Sequence, residues 1–162
     1  MSAPHDKAGA SGDATGPDAG SGAAGFELTE HTADVGLHVW APDPAGVFEQ
    51  AALGLCALTC EPAAVVPRET YTVSAETSST DLGALLVAFL NELLYRIETD
   101  EVVFAAFAIT DLTNAFVVAG AAGEPVDAVR HRPHLRVKAA TYHRLSLGPV
   151  GSGWEARVVL DV

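Results

Sequence analysis

The alternation of apolar and polar residues changes parity near the start of the patterned part of the chain. Apolar residues fall at even positions before this point and at odd positions after it: Phe26 and Leu28, then Val35, Leu37 and Val39. Successive side chains of a strand point to opposite faces, so one continuous strand would not direct both sets into the same core. We therefore predict a turn or bulge within HTADVG, residues 31–36.

The next segment has the spacing of an amphipathic helix. Asp43 and Pro44 are a typical N-cap and first helical residue, and apolar residues then recur every three or four positions. Glu61 and Pro62 follow, and proline does not continue a helix. We predict a helix that ends near Thr59.

A second helix is indicated by the widest apolar stripe in the chain. The expected N-cap is one of Ser78, Ser79 and Thr80, with Asp81 near the start of the helix. The stripe consists of Leu82, Leu85, Leu86, Phe89, Leu90, Leu93, Leu94 and Ile97. The opposite face is expected to be mostly solvated, and it carries Asn91, Glu92, Tyr95 and Arg96.

The remaining periodic segments have the alternation and composition of strands. They lie at 35–40, 68–75, 102–110, 115–121, 135–141, 143–147 and 154–162. A loose connection is expected at 148–153. The order of strand, helix and paired strands occurs twice, which predicts an α+β domain with helices packed on antiparallel or mixed sheet.

Composition separates a predicted tail, residues 1–25, from a single domain, residues 26–162. The tail contains six Gly, seven Ala and three Ser, and apart from Met1 no aliphatic residue larger than Ala. Such a segment buries too little surface to offset chain entropy, so we expect disorder. It lacks the apolar region of a secretory signal, and no later apolar run approaches the ~20 residues of a membrane helix. We expect a soluble, cytoplasmic protein without a membrane partner.

The charge distribution bears on the choice of partner. The formal net charge is −12, and the predicted domain contributes −10 of it. Such an acidic body repels phosphate backbones, which disfavours autonomous binding of nucleic acid. Six of the eight bases of the domain lie in its last third: Arg130, Arg132, Arg136, Lys138, Arg144 and Arg157. This basic sector suits a charged protein partner.

The chain shows no local motif for catalysis. It contains neither a glycine-rich phosphate loop nor a GxSxG elbow. Cys56 and Cys60 lie four residues apart on the first predicted helix, where two thiols are typical of a buried core. A zinc site with His131 and His134 is the alternative, although those histidines are spaced more tightly than is usual.

Oxygen ligands and one lysine are the remaining candidates for chemistry. The chain ends on Asp161 and Val162, so a side-chain carboxylate adjoins the α-carboxylate; the alternative is an ordinary solvated strand end. Together with Asp34 these groups would form an all-oxygen cluster, which selects Ca²⁺ or Mg²⁺ over zinc. Lys138 is the only lysine of the domain. It is expected to share a strand face with Arg136 and Ala140, either as a surface base or as a point charge directed at a carboxylate or phosphate.

Four segments together resemble the archease family. They are EHTADVGLHVWAPDPAGVFEQAALGL, LLVAFLNELLYRIETDEVVF, VKAATYHRLSL and the ending WEARVVLDV, and their order and spacing cover essentially all of 26–162. The segment 122–134 fits the family only loosely, and so leaves the roles of His131 and His134 open. The resemblance implies two strand-helix-strand-strand (SHS2) modules, one inserted in the other.

The resemblance also implies a function. Archeases are accessory proteins, not enzymes, of the tRNA-splicing RNA ligase, promoting guanylylation of the ligase's active-site histidine and multiple turnover in tRNA splicing or RNA repair. The resemblance thus implies that the protein interacts with RNA only indirectly, through the ligase. Asp34, Asp161 and Val162 match the family's calcium positions, and Lys138 matches a position needed for activation. Supporting roles fall to His31, Thr141, Tyr142 and His143. The alternatives are a general chaperone-like interaction module and a small hydrolase that uses the carboxylates.

Overall fold

The computed structural model describes residues 23–162, and residues 1–22 of the predicted tail lie outside that range. The first strand begins at Gly25, inside the segment predicted as tail. The elements in chain order are β1 (Gly25–Glu30), β2 (Asp34–Ala41), α1 (Pro44–Thr59), a 3₁₀ turn (Pro62–Ala64), β3 (Glu69–Glu76), α2 (Leu82–Thr99), β4 (Val102–Leu112), β5 (Phe116–Pro125), α3 (Ala128–His131), β6 (Ala139–Val150) and β7 (Gly153–Asp161). This confirms the α+β class.

The parity change corresponds to a tight turn between β1 and β2. The two strands pair antiparallel, and Glu30 pairs with Val35 across the turn. Leu28 pairs with Leu37, and Phe26 pairs with Val39. Paired residues point to the same face, so the even set before the turn and the odd set after it enter one core.

Two antiparallel sheets enclose a layer of helices. One sheet has the strand order β1-β2-β7-β6 and the other has the order β3-β5-β4. Helix α1 contacts β2 and β4, and α2 contacts β6 and β3, so each helix packs on both sheets. Phe48 of α1 and Phe89 of α2 meet at the centre, with ring centroids 5.7 Å apart. One strand-helix-strand-strand unit (β3, α2, β4, β5) is therefore inserted into another (β2, α1, β6, β7).

Helix α2 begins differently from the sequence expectation. Its N-cap is Asp81, whose Oδ2 accepts a hydrogen bond from the Ala84 N–H at 3.1 Å. The expected caps Ser78, Ser79 and Thr80 lie before it. Aspartate satisfies a free N–H and also places negative charge at the positive end of the helix dipole, which makes it a strong cap.

The sixth strand also differs from the expectation. Residues 135–138 precede it, and a single strand runs from Ala139 to Val150 where two strands and a loose connection were predicted. The connection to β7 is a tight turn in which Gly151 has φ +59°, a conformation that favours glycine. Ala140 is buried in the core and Ala139 lies on the opposite face, which reverses the predicted faces.

A buried carboxylate anchors the segment between β5 and β6. The side chain of Glu124 is 3% exposed and accepts hydrogen bonds from the Arg130 guanidinium, the Val66 N–H at 2.9 Å and His131 Nε2 at 2.9 Å. Arg68 Nε lies 3.3 Å from its other oxygen. These donors lower the pKa of Glu124 to about 2, with the Arg130 hydrogen bonds as the largest cause.

The same anchor argues against the zinc alternative. Nδ1 of His131 accepts the Asp127 N–H at 2.7 Å while Nε2 faces Glu124, so both ring nitrogens are engaged. Burial raises the pKa of the Cys56 and Cys60 thiols, which opposes the thiolate form that binds zinc. Within residues 23–162, no three His, Cys, Asp or Glu side chains are grouped closely enough to hold a metal ion.

The ionisation of Glu124 is expected to make the free energy of unfolding depend on pH below about 4.5. Its folded pKa lies below the reference value of 4.5, so its contribution is fully present above that pH and is lost as pH falls toward about 2. Glu124→Gln should lower the free energy of unfolding at pH 7 and flatten its decline between pH 4.5 and 2, measured by urea unfolding. Glu98→Gln, which changes an exposed glutamate paired with Arg136, is the matched control. Parallel pH profiles for Glu124→Gln and the wild type would contradict this role.

Candidate functional site

The last strand brings the predicted carboxylates together. In the four-stranded sheet β7 lies between β2 and β6, and Asp161 pairs directly with Asp34. Cross-strand partners point to the same face, with Cβ atoms about 4.5–5.5 Å apart. The adjacent pair Val35 and Leu160 is buried in the core, so both aspartates lie on the outer face of the sheet. We call Asp34, Asp161 and the terminal residue Val162 the carboxylate corner.

Lys138 is fixed to this corner through its backbone. Its N–H donates a hydrogen bond to the Asp161 carbonyl at 2.8 Å, and the next residue, Ala139, pairs with Asp161. The lysine side chain is exposed. The structure therefore groups three positions that were predicted from separate parts of the sequence.

A residue that the sequence placed on a solvated face holds this part of β6. Asn91 of α2 accepts the Ala140 N–H with Oδ1 at 2.8 Å and donates from Nδ2 to the Ala140 carbonyl at 3.1 Å. The side-chain amide thus pairs with the backbone of the edge strand as a neighbouring strand would. A polar residue beside Leu90 in a strongly apolar helix is the signal that could have indicated this contact.

The predicted supporting residues divide into three kinds. His31 and His143 line one concavity together with Asp34. Thr141 ties the strands together, because its Oγ1 donates to the Val159 carbonyl at 2.9 Å. Tyr142 is 66% exposed. Arg144, which the sequence did not single out as a site residue, also lines the concavity.

The electrostatics of the carboxylate corner suit a hard cation. Asp34 and Asp161 are like charges placed opposite each other, which destabilises a sheet unless a positive group intervenes. Neither makes an ion pair with a side chain in the described part of the protein. Side-chain and terminal oxygens are donors that Ca²⁺ and Mg²⁺ prefer. The two side chains alone make too few ligands, so terminal or backbone oxygen and water would complete the shell.

Removing one of the two carboxylates tests whether they repel each other and whether a cation relieves that repulsion. Without a divalent cation, Asp34→Asn or Asp161→Asn should raise the free energy of unfolding by roughly 0.2–1 kcal/mol, because a repulsive cross-strand pair is lost. With excess Ca²⁺ the wild type should gain stability and both variants should gain less. Thermal unfolding with Ca²⁺ and with a chelator measures both effects.

The control for this experiment is Asp111→Asn, which changes an exposed aspartate on β4 of the other sheet. It should respond to Ca²⁺ as the wild type does. An equal Ca²⁺ response in all four proteins would rule out cation binding at the carboxylate corner.

Comparisons with known proteins agree with this architecture. Residues 26–162 match the Archease protein family (MTH1598/TM1083). A protein archease from Methanopyrus kandleri is 37% identical over 140 residues, covering 85% of this chain and 99% of its own. One from Methanosarcina mazei is 35% identical over 147 residues, covering 85% and 95%. No helix within residues 23–162 is long and apolar enough to cross a membrane.

Solved structures show the same fold. The solution structure of protein 1598 from Methanobacterium thermoautotrophicum superposes with a TM-score of 0.66 at 28% identity, covering 85% of this chain and 99% of that one. The crystal structure of an archease, possible chaperone, from Thermotoga maritima gives a TM-score of 0.56 at 19% identity, covering 84% and 96%. The family match over the whole patterned region, together with these relatives, establishes that the chain belongs to the archease family.

Proposed function

We propose that this protein is a cytoplasmic accessory protein, not itself an enzyme, that activates the tRNA-splicing RNA ligase. In this role it promotes guanylylation of the ligase's active-site histidine and allows multiple turnover in tRNA splicing or RNA repair. The observation that carries the proposal is the grouping of Asp34, Asp161 and Lys138 at one corner of an exposed sheet face. Family membership supports it.

The carboxylate corner would hold the cation. Asp34 and Asp161 offer side-chain oxygens from adjacent strands, and Val162 adds backbone or terminal oxygen. A bound Ca²⁺ or Mg²⁺ would supply positive charge and coordination sites to the partner's oxygen ligands. The chain's own contribution is to fix these oxygens on paired backbone, where their spacing is set by the sheet.

Lys138 would supply a second positive charge beside that site. Its backbone hydrogen bond to Asp161 fixes its position, while its exposed side chain stays free to reach a partner. An ammonium group is a compact point charge that suits a carboxylate or phosphate. RNA itself is an unsuitable direct partner, because the chain carries a net charge of −12 and would repel a phosphate backbone.

The direct test adds the purified protein to the ligase of the same organism with GTP. Guanylylation of the ligase and its number of turnovers should both increase. Asp34→Ala, Asp161→Ala and Lys138→Ala should each abolish most of the gain while circular dichroism shows an intact fold. Asp111→Ala serves as the control and should activate as the wild type does. Full activation by all three corner variants would reject this site.

The alternative is a chaperone-like interaction module. A larger cavity, separate from the concavity beside Asp34, favours this alternative. This cavity, of about 520 Å³, lies between the C-terminal ends of α1 and α2 and the segment after β5. Two of its apolar lining residues, Val126 and Leu135, are 39% and 37% exposed, and nearby Val129 is 81% exposed. A chaperone would protect unrelated proteins from aggregation and would tolerate the corner substitutions, so aggregation assays with the same variants separate the two functions.

A further inference from the structure

The concavity lined by His31, His143 and Asp34 adjoins the carboxylate corner. It has a volume of about 300 Å³, and the residues that line it come from the β1–β2 turn, the middle of the sheet and β6: His31, Asp34, Gly36, His143, Arg144 and Val159. Gly36 and Val159 are register partners, so they form the floor on the outer face of the sheet. Three of the six lining residues carry nitrogen donors.

An irregularity in β6 places two of these donors. Thr141 pairs with Val159 and Ser146 pairs with Arg157, so the four residues 142–145 face the single residue Val158. Arg144 lies within this bulge at φ +52°, a left-handed conformation that L-residues with side chains rarely adopt. The bulge thus directs His143 and Arg144 toward the turn that holds His31.

The donors are available to a ligand. Within residues 23–162, the side chains of His31, His143 and Arg144 make neither an ion pair nor a hydrogen bond to another residue, and all three are exposed. The guanidinium is charged at every physiological pH and presents paired N–H groups that match two oxygens of a phosphate. A neutral imidazole still offers one N–H. This donor set is chemically suited to an oxyanion.

The neighbouring carboxylates decide when an oxyanion can bind. Asp34 lines the same concavity, and Asp161 is its direct cross-strand partner. These charges repel a phosphate group, as does the net charge of −12. A divalent cation on the carboxylate corner would offset the charges of the two aspartates and so remove most of this repulsion. Because linkage is reciprocal, each ligand would then strengthen the binding of the other.

We infer that His31, His143 and Arg144 form a phosphate-binding subsite whose affinity depends on a cation at the carboxylate corner. The inference rests on the proposed function only for that cation. The concavity, of about 300 Å³, has room for a phosphate group, and its three nitrogen-bearing side chains are the donors that such a group requires. The ligand class is therefore a phosphate monoester or the terminal phosphate of a nucleotide.

Isothermal titration calorimetry on the full chain tests this inference. Methyl phosphate is the probe for the bare group and ATP is the probe for a nucleotide, each with excess Ca²⁺ or with a chelator. The wild type should bind methyl phosphate at least about tenfold more tightly with Ca²⁺ than with the chelator. Much tighter binding of ATP would identify a nucleotide as the source of the phosphate; equal binding would identify the phosphate group alone.

The decisive variant is Arg144→Ala, and Arg132→Ala is its matched control. Arg132 is another exposed arginine with a positive φ, +41°, so both changes place alanine in the same kind of backbone. Arg144→Ala and His143→Ala should each weaken phosphate binding about tenfold and leave intrinsic Ca²⁺ binding without phosphate unchanged. Arg132→Ala should bind as the wild type does. Thermal unfolding of each variant verifies the fold.

The outcomes separate the two proposals. Ca²⁺ binding without phosphate binding, or equal phosphate affinity in Arg144→Ala and the wild type, would overturn the subsite and leave the proposed function standing. Absence of Ca²⁺ and Mg²⁺ binding would count against the proposed cation. Phosphate binding that is equally tight with the chelator would overturn the linkage.

Discussion

The pairing of the last strand between β2 and β6 is the constraint on which the site depends. Because β7 is an inner strand, its last residues Val159, Leu160 and Asp161 each pair with one residue of β2 and one residue of β6. This register aligns Asp34, Asp161 and Ala139 in one row, and it aligns Gly36, Val159 and Thr141 in the next row on the same face of the sheet. A slip of β7 by one residue would move Asp161 to the core face and away from Asp34.

Helices and the first hairpin could be predicted from the sequence because their signals are local. Asp43 and Pro44 determine the start of α1, and the parity change between Leu28 and Val35 requires a turn. The cap of α2 was misassigned among neighbouring candidates, since several residues before Leu82 have capping side chains. Element type follows from periodicity, whereas the choice among adjacent caps depends on backbone geometry.

The candidate site was predictable only in part. The resemblance and the carboxylate chemistry indicated Asp34 and Asp161, but the register that pairs them is a long-range property. The faces of Ala139 and Ala140 were reversed, because the strand begins later than its alternation suggests and Asn91 of a distant helix binds its edge. Arg144 lies at the site because of a bulge in β6, and no local sequence pattern predicts that bulge.

Cation binding at the carboxylate corner is the property on which the proposed activation depends most directly. Mn²⁺ shares the preference of Ca²⁺ and Mg²⁺ for oxygen ligands and broadens nearby NMR signals. In an assigned ¹H–¹⁵N spectrum, substoichiometric Mn²⁺ should first broaden the amides of Asp34, Lys138 and Asp161, leave that of Asp111 on the other sheet sharp, and lose its effect when Ca²⁺ is added. Broadening centred elsewhere, or unaffected by Ca²⁺, would contradict a cation site at the carboxylate corner.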